Sequence, residues 1–453
     1  MSDKQKVIGT SLEYYLISFD KNGNECRPKE GRLISEEILA VLSKEPITDV
    51  FLMSHGWLGD VTDAKNQYQR WIAAMAKNQA DIQKMQQVRP GFNPLLIGLH
   101  WPSKPWGDEN LDAPASYDTT EDSQVNDLIE EYAHQVSDTE ATREALRIVF
   151  SAGIDYDTPP ESLPPELFQA YQVLIQEASL SSEDEDIKEW NENEPLDLDP
   201  ESVYQASLIE ETADVSFGIG ESIASAWDKF LKVPRLLSYW KMKNRARQIG
   251  QTSGFDLLKK LQQTANDHVR FHLMGHSFGT IVVSATIAGT RSNNKLVRPV
   301  NSLALIQGAV SLWSYSAKVP DRNNLAGYFY PIITEKRVAG PIITTQSQYD
   351  TAVGKAYLIA GNIGLQMGQD IDFAPTSVSY PSVGGIGTYG IQGEGLDITN
   401  LDMLTVEKSY SFQPGKIYNL NSDKFIKDGN KDAHSAIDKP EVAHAVWSAA
   451  LVS

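Results

Sequence analysis

Ser277 lies in the pentapeptide Gly275-His276-Ser277-Phe278-Gly279, between two runs of different character. The run before it, from Arg270, is typical of a strand, and Thr280 to Gly289 is small, apolar and compatible with a helix. A serine on a tight turn from strand to helix stands above the sheet, and flanking glycines lack the Cβ atoms that would collide there. The pattern therefore predicts a nucleophile whose hydroxyl faces a substrate.

The same turn also predicts a site for negative charge. The first amides of a helix have no acceptor within the helix, and Phe278 stands where this helix would begin. Its N–H is therefore a candidate donor to the oxyanion that forms when a serine attacks a carbonyl group.

These residues resemble the nucleophile elbow of the α/β-hydrolase superfamily, of the lipase and esterase kind. The resemblance implies an α/β fold with a doubly wound, mostly parallel sheet. It also implies an acid and then a histidine after Ser277 in chain order, and an oxyanion loop well before it. The family places that loop after the third strand, where the apolar run from Thr48 ends in His55-Gly56-Trp57. The donor implied there is the N–H of Trp57 or Gly56.

Candidates for the acid and the base follow the elbow in the order that the resemblance implies. Asp350 comes just after the second predicted strand beyond the elbow helix, and Asp423 is the alternative acid. His434 lies in a polar loop after the last predicted strand, whereas His444 falls in a predicted closing helix and is expected to be packed. The expected triad is therefore Ser277, Asp350 and His434, with the carboxylate orienting the imidazole.

The elements that must position these residues follow from apolar runs and helical spacing. Sequence patterns predict helices from Ile34, Thr62, Glu166, Phe255 and Pro440, and a helical piece from Ser123 to Phe150. The predicted strands are Glu13 to Phe19, Thr48 to Trp57, Asn93 to His100, Arg270 to His276, Val300 to Val310, Gly340 to Ser347 and Lys416 to Asn421.

The charge of the chain is concentrated in one stretch. The net charge of the 453 residues is −20, but Ser103 to Gly220 alone contains 30 Asp or Glu and only 4 Lys or Arg. We therefore expect an acidic, mainly helical cap at residues 103–235, inserted between core segments 1–102 and 236–453. Nucleic acid is an unlikely partner, because phosphate binding needs a basic face.

A basic amphipathic stretch at residues 217–247 has two interpretations. It is either a lid or surface that contacts lipid transiently, or a helix packed in the core. The first residues form no apolar leader, no apolar run is long enough to span a membrane, and Cys26 is the single cysteine. We therefore expect a cytoplasmic protein, with export that needs no cleaved signal left open.

The resemblance implies a serine hydrolase that cleaves carboxylic esters, with lipid or long-acyl esters as the first expectation. An acyltransferase or thioesterase would use the same triad, and a binding protein could retain the fold without catalysis. Correct spatial positions of the acid and the histidine would count against that last alternative. No metal or organic cofactor is expected for this chemistry.

Overall fold

The computed structural model describes most of the chain. The described residues are 4–28, 31–57, 60–103, 126, 129–130, 132–133, 136–155, 160–178, 200–201, 204, 237, 241–319, 325–350, 352–353, 382–388, 396–427 and 433–452. Of the segment at residues 181–200, whose acidic composition predicts disorder, only residue 200 is described. Of the basic amphipathic stretch at residues 217–247, only residues 237 and 241–247 are described.

A nine-stranded sheet forms the centre of the α/β fold, with the strand order β1-β2-β4-β3-β5-β6-β7-β9-β8. Only β1 runs antiparallel to its neighbour, and every other pair is parallel. The strands are β1 (Gln5–Lys6), β2 (Glu13–Ser18), β3 (Asp49–Ser54), β4 (Pro94–His100), β5 (Arg270–His276), β6 (Ser302–Ile306), β7 (Ile342–Gln346), β8 (Ile398–Asp402) and β9 (Ile417–Asn421).

The central strands are apolar because both of their faces are covered. Every residue of β3 and of β6 is buried, as is β5 apart from its first residue. A strand buried on both faces reads as a continuous apolar run, which is how the sequence predicted these strands. The edge strands β1 and β8 were missed, since β1 has two residues and β8 alternates between exposed and half-buried positions.

Helices join most of the parallel strands. They are α1 (Ile34–Lys44), α2 (Val61–Lys77), α3 (Gln79–Val88), α4 (Glu140–Asp155), α5 (Pro165–Ala178), α6 (Phe255–Thr264), α7 (Gly279–Ala288), α8 (Tyr330–Thr334), α9 (Val383–Ile386) and α10 (Pro440–Leu451). Helix α2 begins with a capping box in which the side chains of Asp60 and Asp63 each accept a backbone N–H of the other residue. This box stabilises the first turn of the helix after the predicted oxyanion loop.

Close backbone contact fixes α7, the helix that follows Ser277. A π-helical turn at Gly250–Gly254 packs against it. A Cβ atom on Gly250 would lie 2.4 Å from the Val282 carbonyl oxygen, and one on Gly254 would lie 2.3 Å from Thr286 Oγ1. Gly250 cannot be replaced without moving the helix, whereas a side chain at Gly254 would displace the Thr286 hydroxyl. The Gly250 contact therefore sets the position of the turn that precedes α7.

The C-terminal helix α10 packs on α2 and α3. The Trp447 indole N–H donates to the Met75 carbonyl at 3.0 Å, and Asn78 Nδ2 donates to the Pro440 carbonyl at 2.8 Å. His444 is fully buried, with Nδ1 2.7 Å from Asp81 Oδ2. These contacts make α10 part of the core, and they place His444 in the packed position that the sequence predicted.

A cluster of polar side chains is buried at the amino ends of the central strands. His272 Nε2 lies 3.0 Å from Asp49 Oδ1, and His272 Nδ1 lies 2.9 Å from Ser302 Oγ. Arg89 binds the same Asp49 oxygen and also donates to the Ala450 carbonyl at 2.6 Å. We call Asp49, Arg89, His272 and Ser302 the basal cluster.

The chain divides into two compact units. One unit contains residues 1–103, 245–357 and 380–453, and the other contains residues 104–244 and 358–379. The predicted insertion at residues 103–235 falls almost wholly in the second unit, but the prediction assigned residues 358–379 to the core. In the second unit α4 and α5 pack together, and Thr139 Oγ1 donates to Glu177 at 2.8 Å. Among the described residues, no helix has the length and apolar character needed to cross a membrane.

Candidate active site

Ser277 occupies a strained turn directly after β5. Its φ is 54°, in the left-handed region that residues with a side chain rarely adopt. A Cβ atom on Gly275 would lie 2.3 Å from the Gly279 carbonyl oxygen, and one on Gly279 would lie 2.3 Å from that of Ser54. The two glycines are therefore steric requirements of the turn, which brings β5, α7 and the end of β3 into contact.

His434 and Asp350 meet although 84 residues separate them in the sequence. His434 Nδ1 lies 2.8 Å from Asp350 Oδ2, and the side chain of Asp350 is completely buried. Because a carboxylate only accepts hydrogen bonds, Nδ1 carries the proton and Nε2 is the ring atom able to accept another. The rival acid Asp423 instead accepts from the backbone N–H and the side chain of Gln348.

His276, the residue before the serine, holds His434 against the turn. Its Nε2 donates to the His434 carbonyl at 2.9 Å, and the centroids of the two rings are 4.5 Å apart. Burial and the neighbouring His434 ring lower the pKa of His276 well below its ordinary value. His276 is therefore neutral, which suits a ring that donates through Nε2 and accepts from Gln67 through Nδ1.

Two neutral groups besides His434 bind the Asp350 carboxylate. Gln307 Nε2 donates to Oδ2 at 2.8 Å, and the Val353 N–H donates to Oδ1 at 3.1 Å. Gln307 directly follows β6, so side chains after β5, β6 and β7 converge at one edge of the sheet. The carboxyl ends of parallel strands are where an α/β sheet places its ligands.

The loop after β3 lies beside the serine. A Cβ atom on Gly56 would lie 2.8 Å from the Ser277 Cβ, so only glycine fits there. His55 Nδ1 donates to the Gly56 carbonyl at 2.8 Å, while His55 Nε2 accepts from the Trp101 N–H at 3.3 Å. Burial, together with the adjacent His100, lowers the pKa of His55 to about 3, so this ring stays neutral.

The other two predicted oxyanion-hole residues flank this loop and the turn. Phe278 stands at the first turn of α7, and its ring centroid lies 5.7 Å from that of Trp57. The structure thus gathers Gly56, Trp57, Phe278 and Ser277 in one place. Backbone amides at a helix start and in a buried loop can stabilise negative charge that develops beside the serine hydroxyl.

Two neighbours of the site carried no signal in the sequence that we recognised. The sequence indicates no role for His276, since strand character places His268, His272 and His276 on both faces and argues against a zinc site, and Gln307 falls within the predicted strand Val300 to Val310. The φ of Gln307 is positive, at 44°, and the sequence gives no sign of this backbone conformation. Among the described residues, no group of three or more His, Cys, Asp or Glu side chains is arranged to hold a metal ion.

Comparison with known proteins finds no match to this chain. No protein-family model matches the sequence, and neither the curated proteins nor the solved structures contain a match. Inferences about function therefore rest on the geometry of the chain itself.

Proposed function

We propose that this protein is a serine hydrolase of the α/β-hydrolase type that cleaves carboxylic esters. The observation that carries the proposal is that His434, hydrogen-bonded to the buried Asp350, packs on His276, the residue directly before Ser277 on its strained turn. Residues far apart in the sequence thus lie beyond the carboxyl ends of neighbouring strands, and they are of the types that acyl transfer requires. Their positions count against a binding protein that has lost its catalytic groups.

The proposed reaction has two steps. His434 Nε2 takes the proton of the Ser277 hydroxyl as Oγ attacks the ester carbonyl carbon. The tetrahedral intermediate collapses as the bond to the alcohol oxygen breaks, and His434 returns its proton to that oxygen. Water, deprotonated by His434, then attacks the acyl-enzyme and releases the acid and Ser277. Asp350 keeps the proton on Nδ1 and stabilises the imidazolium in both steps.

The amides of Phe278 and of Trp57 or Gly56 are the proposed donors to the oxyanion. Gly56 lies in van der Waals range of Ser277 and its carbonyl is fixed by His55, so the loop is held in place before substrate binds. Donors that need no reorganisation during the reaction contribute most to the rate.

The proposed substrates are lipid or long-acyl esters, because the basic amphipathic stretch at residues 217–247 is of the kind that contacts lipid. Most of this stretch lies outside the described residues, and Lys243 and Arg247 within it are buried. Hydrolysis of p-nitrophenyl esters of increasing acyl length tests the class. Equal rates for acetate and for long chains would remove the long-acyl part of the proposal.

Fluorophosphonate labelling with mass mapping tests the hydrolase proposal itself. Such a probe reacts at a useful rate only with a serine activated by a base and an oxyanion hole. We expect one adduct, on Ser277, and none in the Ser277→Ala variant. Ser302→Ala is the matched control, because Ser302 is a buried serine that also contacts a histidine. Absence of label on Ser277 in the folded protein would refute the proposal.

The two candidate acids supply a second matched pair. Asp350→Asn should slow labelling about 10³- to 10⁴-fold, because an amide cannot hold the His434 tautomer or balance its charge. Asp423→Asn should leave the labelling rate within about twofold, since Asp423 binds the exposed Gln348 instead. The reverse result would make Asp423 the acid.

A further inference from the structure

Gln307 makes a contact that the catalytic proposal does not use. Its side chain is completely buried, and its Nε2 donates to Asp350 Oδ2, the same oxygen that His434 binds. The other end of the amide is also fixed, because Thr345 Oγ1 donates to Gln307 Oε1 at 2.9 Å. Thr345 thereby decides which way the amide faces, since its hydroxyl proton requires the oxygen and the carboxylate requires the NH2 group.

The backbone of Gln307 is constrained at the same point. Its φ of 44° is one of three positive values among the described residues other than glycine, and Ser277 has another. The Gln307 N–H donates to Thr345 Oγ1 at 2.9 Å, so one threonine holds both the backbone and the side chain. Strained backbone persists only where surrounding contacts determine it, and such residues concentrate at functional sites.

We propose that Gln307 is a positioning residue, which fixes the Asp350 carboxylate in the orientation that accepts the proton on His434 Nδ1. With Gln307 on Oδ2 and the Val353 N–H on Oδ1, the carboxylate cannot rotate away from the imidazole. The contact passes from Thr345 on β7 through Gln307 to Asp350, so the sheet itself supports the base. This inference rests on the proposed hydrolase function.

The test compares two buried glutamines changed to methionine, which has a similar volume but no amide. Gln262 in α6 is as buried as Gln307, donates to the Arg298 carbonyl at 2.9 Å and accepts from the Val297 N–H. We expect Gln307→Met to slow fluorophosphonate labelling of Ser277 about 10- to 100-fold. Gln262→Met should leave that rate within about twofold, although both variants lose stability.

A second variant, Gln307→Glu, keeps the side-chain size and replaces the donor to Asp350 with another carboxyl group. Added negative charge favours the imidazolium form, so the pH of half-maximal labelling should rise by about one unit. Two titratable residues that contact His434 are Asp350, after β7, and His276, on β5. Burial keeps the pKa of His276 well below its ordinary value, so a shift in the pH of half-maximal labelling reports on His434.

The outcomes separate this inference from the proposed function. If the wild-type protein is not labelled on Ser277, the hydrolase proposal and the role of Gln307 both fail. If Ser277 is labelled but Gln307→Met reacts as fast as Gln262→Met, Gln307 is only structural and the inference alone is overturned. If Gln307→Met does not fold, an unchanged pH of half-maximal labelling in Gln307→Glu overturns it.

Discussion

Two groups of serine, histidine and aspartate lie at opposite ends of the same sheet. Ser277, His434 and Asp350 lie beyond the carboxyl ends of the strands, and Ser302, His272 and Asp49 lie at the amino ends. In each group the histidine contacts the aspartate, at 2.8 Å and 3.0 Å respectively. Only the first group has its serine on a strained turn and its histidine partly exposed, at 14 %.

The difference shows that residue types alone do not make a catalytic site. In the basal cluster, Asp49, His272 and Ser302 all come from strand positions, and both His272 nitrogens contact buried partners. Arg89 also binds the Asp49 carboxylate and offsets its charge, whereas Asp350 accepts from the neutral groups of Gln307 and Val353. An imidazolium at His434 would therefore not compete with a guanidinium for Asp350, as one at His272 would for Asp49.

The histidines offer the largest test of this comparison. His434→Gln should slow fluorophosphonate labelling of Ser277 roughly 10³- to 10⁴-fold with a smaller change in thermal stability than His272→Gln, because His434 lies in a short 3₁₀ helix and is partly exposed. His272→Gln should keep the labelling rate within about threefold but lower the free energy of unfolding by about 2 kcal/mol, because it disturbs a buried network. A larger loss of labelling in the folded His272→Gln protein would invalidate the distinction.

Asp49 provides the next largest effect, on stability. Asp49→Asn removes the negative charge that pairs with Arg89. The Arg89 side chain is buried, with only 5 % of it exposed. We expect the free energy of unfolding to fall by about 3 to 5 kcal/mol, as for other buried pairs that lose one partner. Urea unfolding measures this change, and Asp423→Asn, at a half-buried position outside the core, should change the free energy of unfolding by less than about 0.5 kcal/mol. Equal effects of the two substitutions would argue against a structural role for the basal cluster.

Lowering the pH should reduce the free energy of unfolding by a smaller amount, through buried histidines at both ends of the sheet. Burial lowers the pKa values of His55, His272 and His276 below the ordinary histidine value, so the unfolded chain takes up protons that the folded chain cannot. This stability is fully present above about pH 6.5 and is lost as the pH falls below it, by at most about 1.4 kcal/mol per histidine at pH 5.5. Urea unfolding should show a lower free energy of unfolding at pH 5.5 than at pH 7.5, by at most about 4 kcal/mol. A loss that His55→Gln does not reduce would exclude a contribution from His55.

At still lower pH, protonation of Asp49 should add to the loss of stability. Burial alone would raise the pKa of its carboxyl group, but the hydrogen bond from His272 and the charge of Arg89 lower it overall. A lowered carboxyl pKa gives stability that is present above the unfolded value of about 3.9 and is lost as the pH falls through the folded value. The Asp49→Asn variant should therefore show a flatter decline below about pH 4 than the wild-type protein.

Much of the fold could be predicted because burial leaves a direct trace in sequence. The runs that became β3, β4, β5 and β6 are mostly apolar, and the spacing of apolar residues indicates α1 and α2. Strand β8 was missed because Ile398 to Asp402 mixes polar and apolar residues at a sheet edge. Helix α3 was missed because its only two buried residues are Asp81 and Met85, too few for a clear apolar stripe.

The site was predictable as a set of residues but not as an arrangement. The glycines around Ser277 mark a turn that only they permit, so local sequence located it. The choice between Asp350 and Asp423 needed the distance to His434, which depends on how separate strands align. Gln307 and the basal cluster have no local pattern at all, since their contacts exist only once β3, β5, β6 and β7 lie side by side.

The contacts of α10 have a consequence for how the chain acquires its structure. Trp447 reaches Met75 and Arg89 reaches Ala450 across 372 and 361 residues of sequence. Contacts of such separation form only after long loops have closed, and they slow folding. During synthesis, the parts of α2, α3, β6 and β7 that α10 covers therefore stay exposed until Pro440–Leu451 has left the ribosome, and their apolar side chains can aggregate or bind chaperones in the meantime.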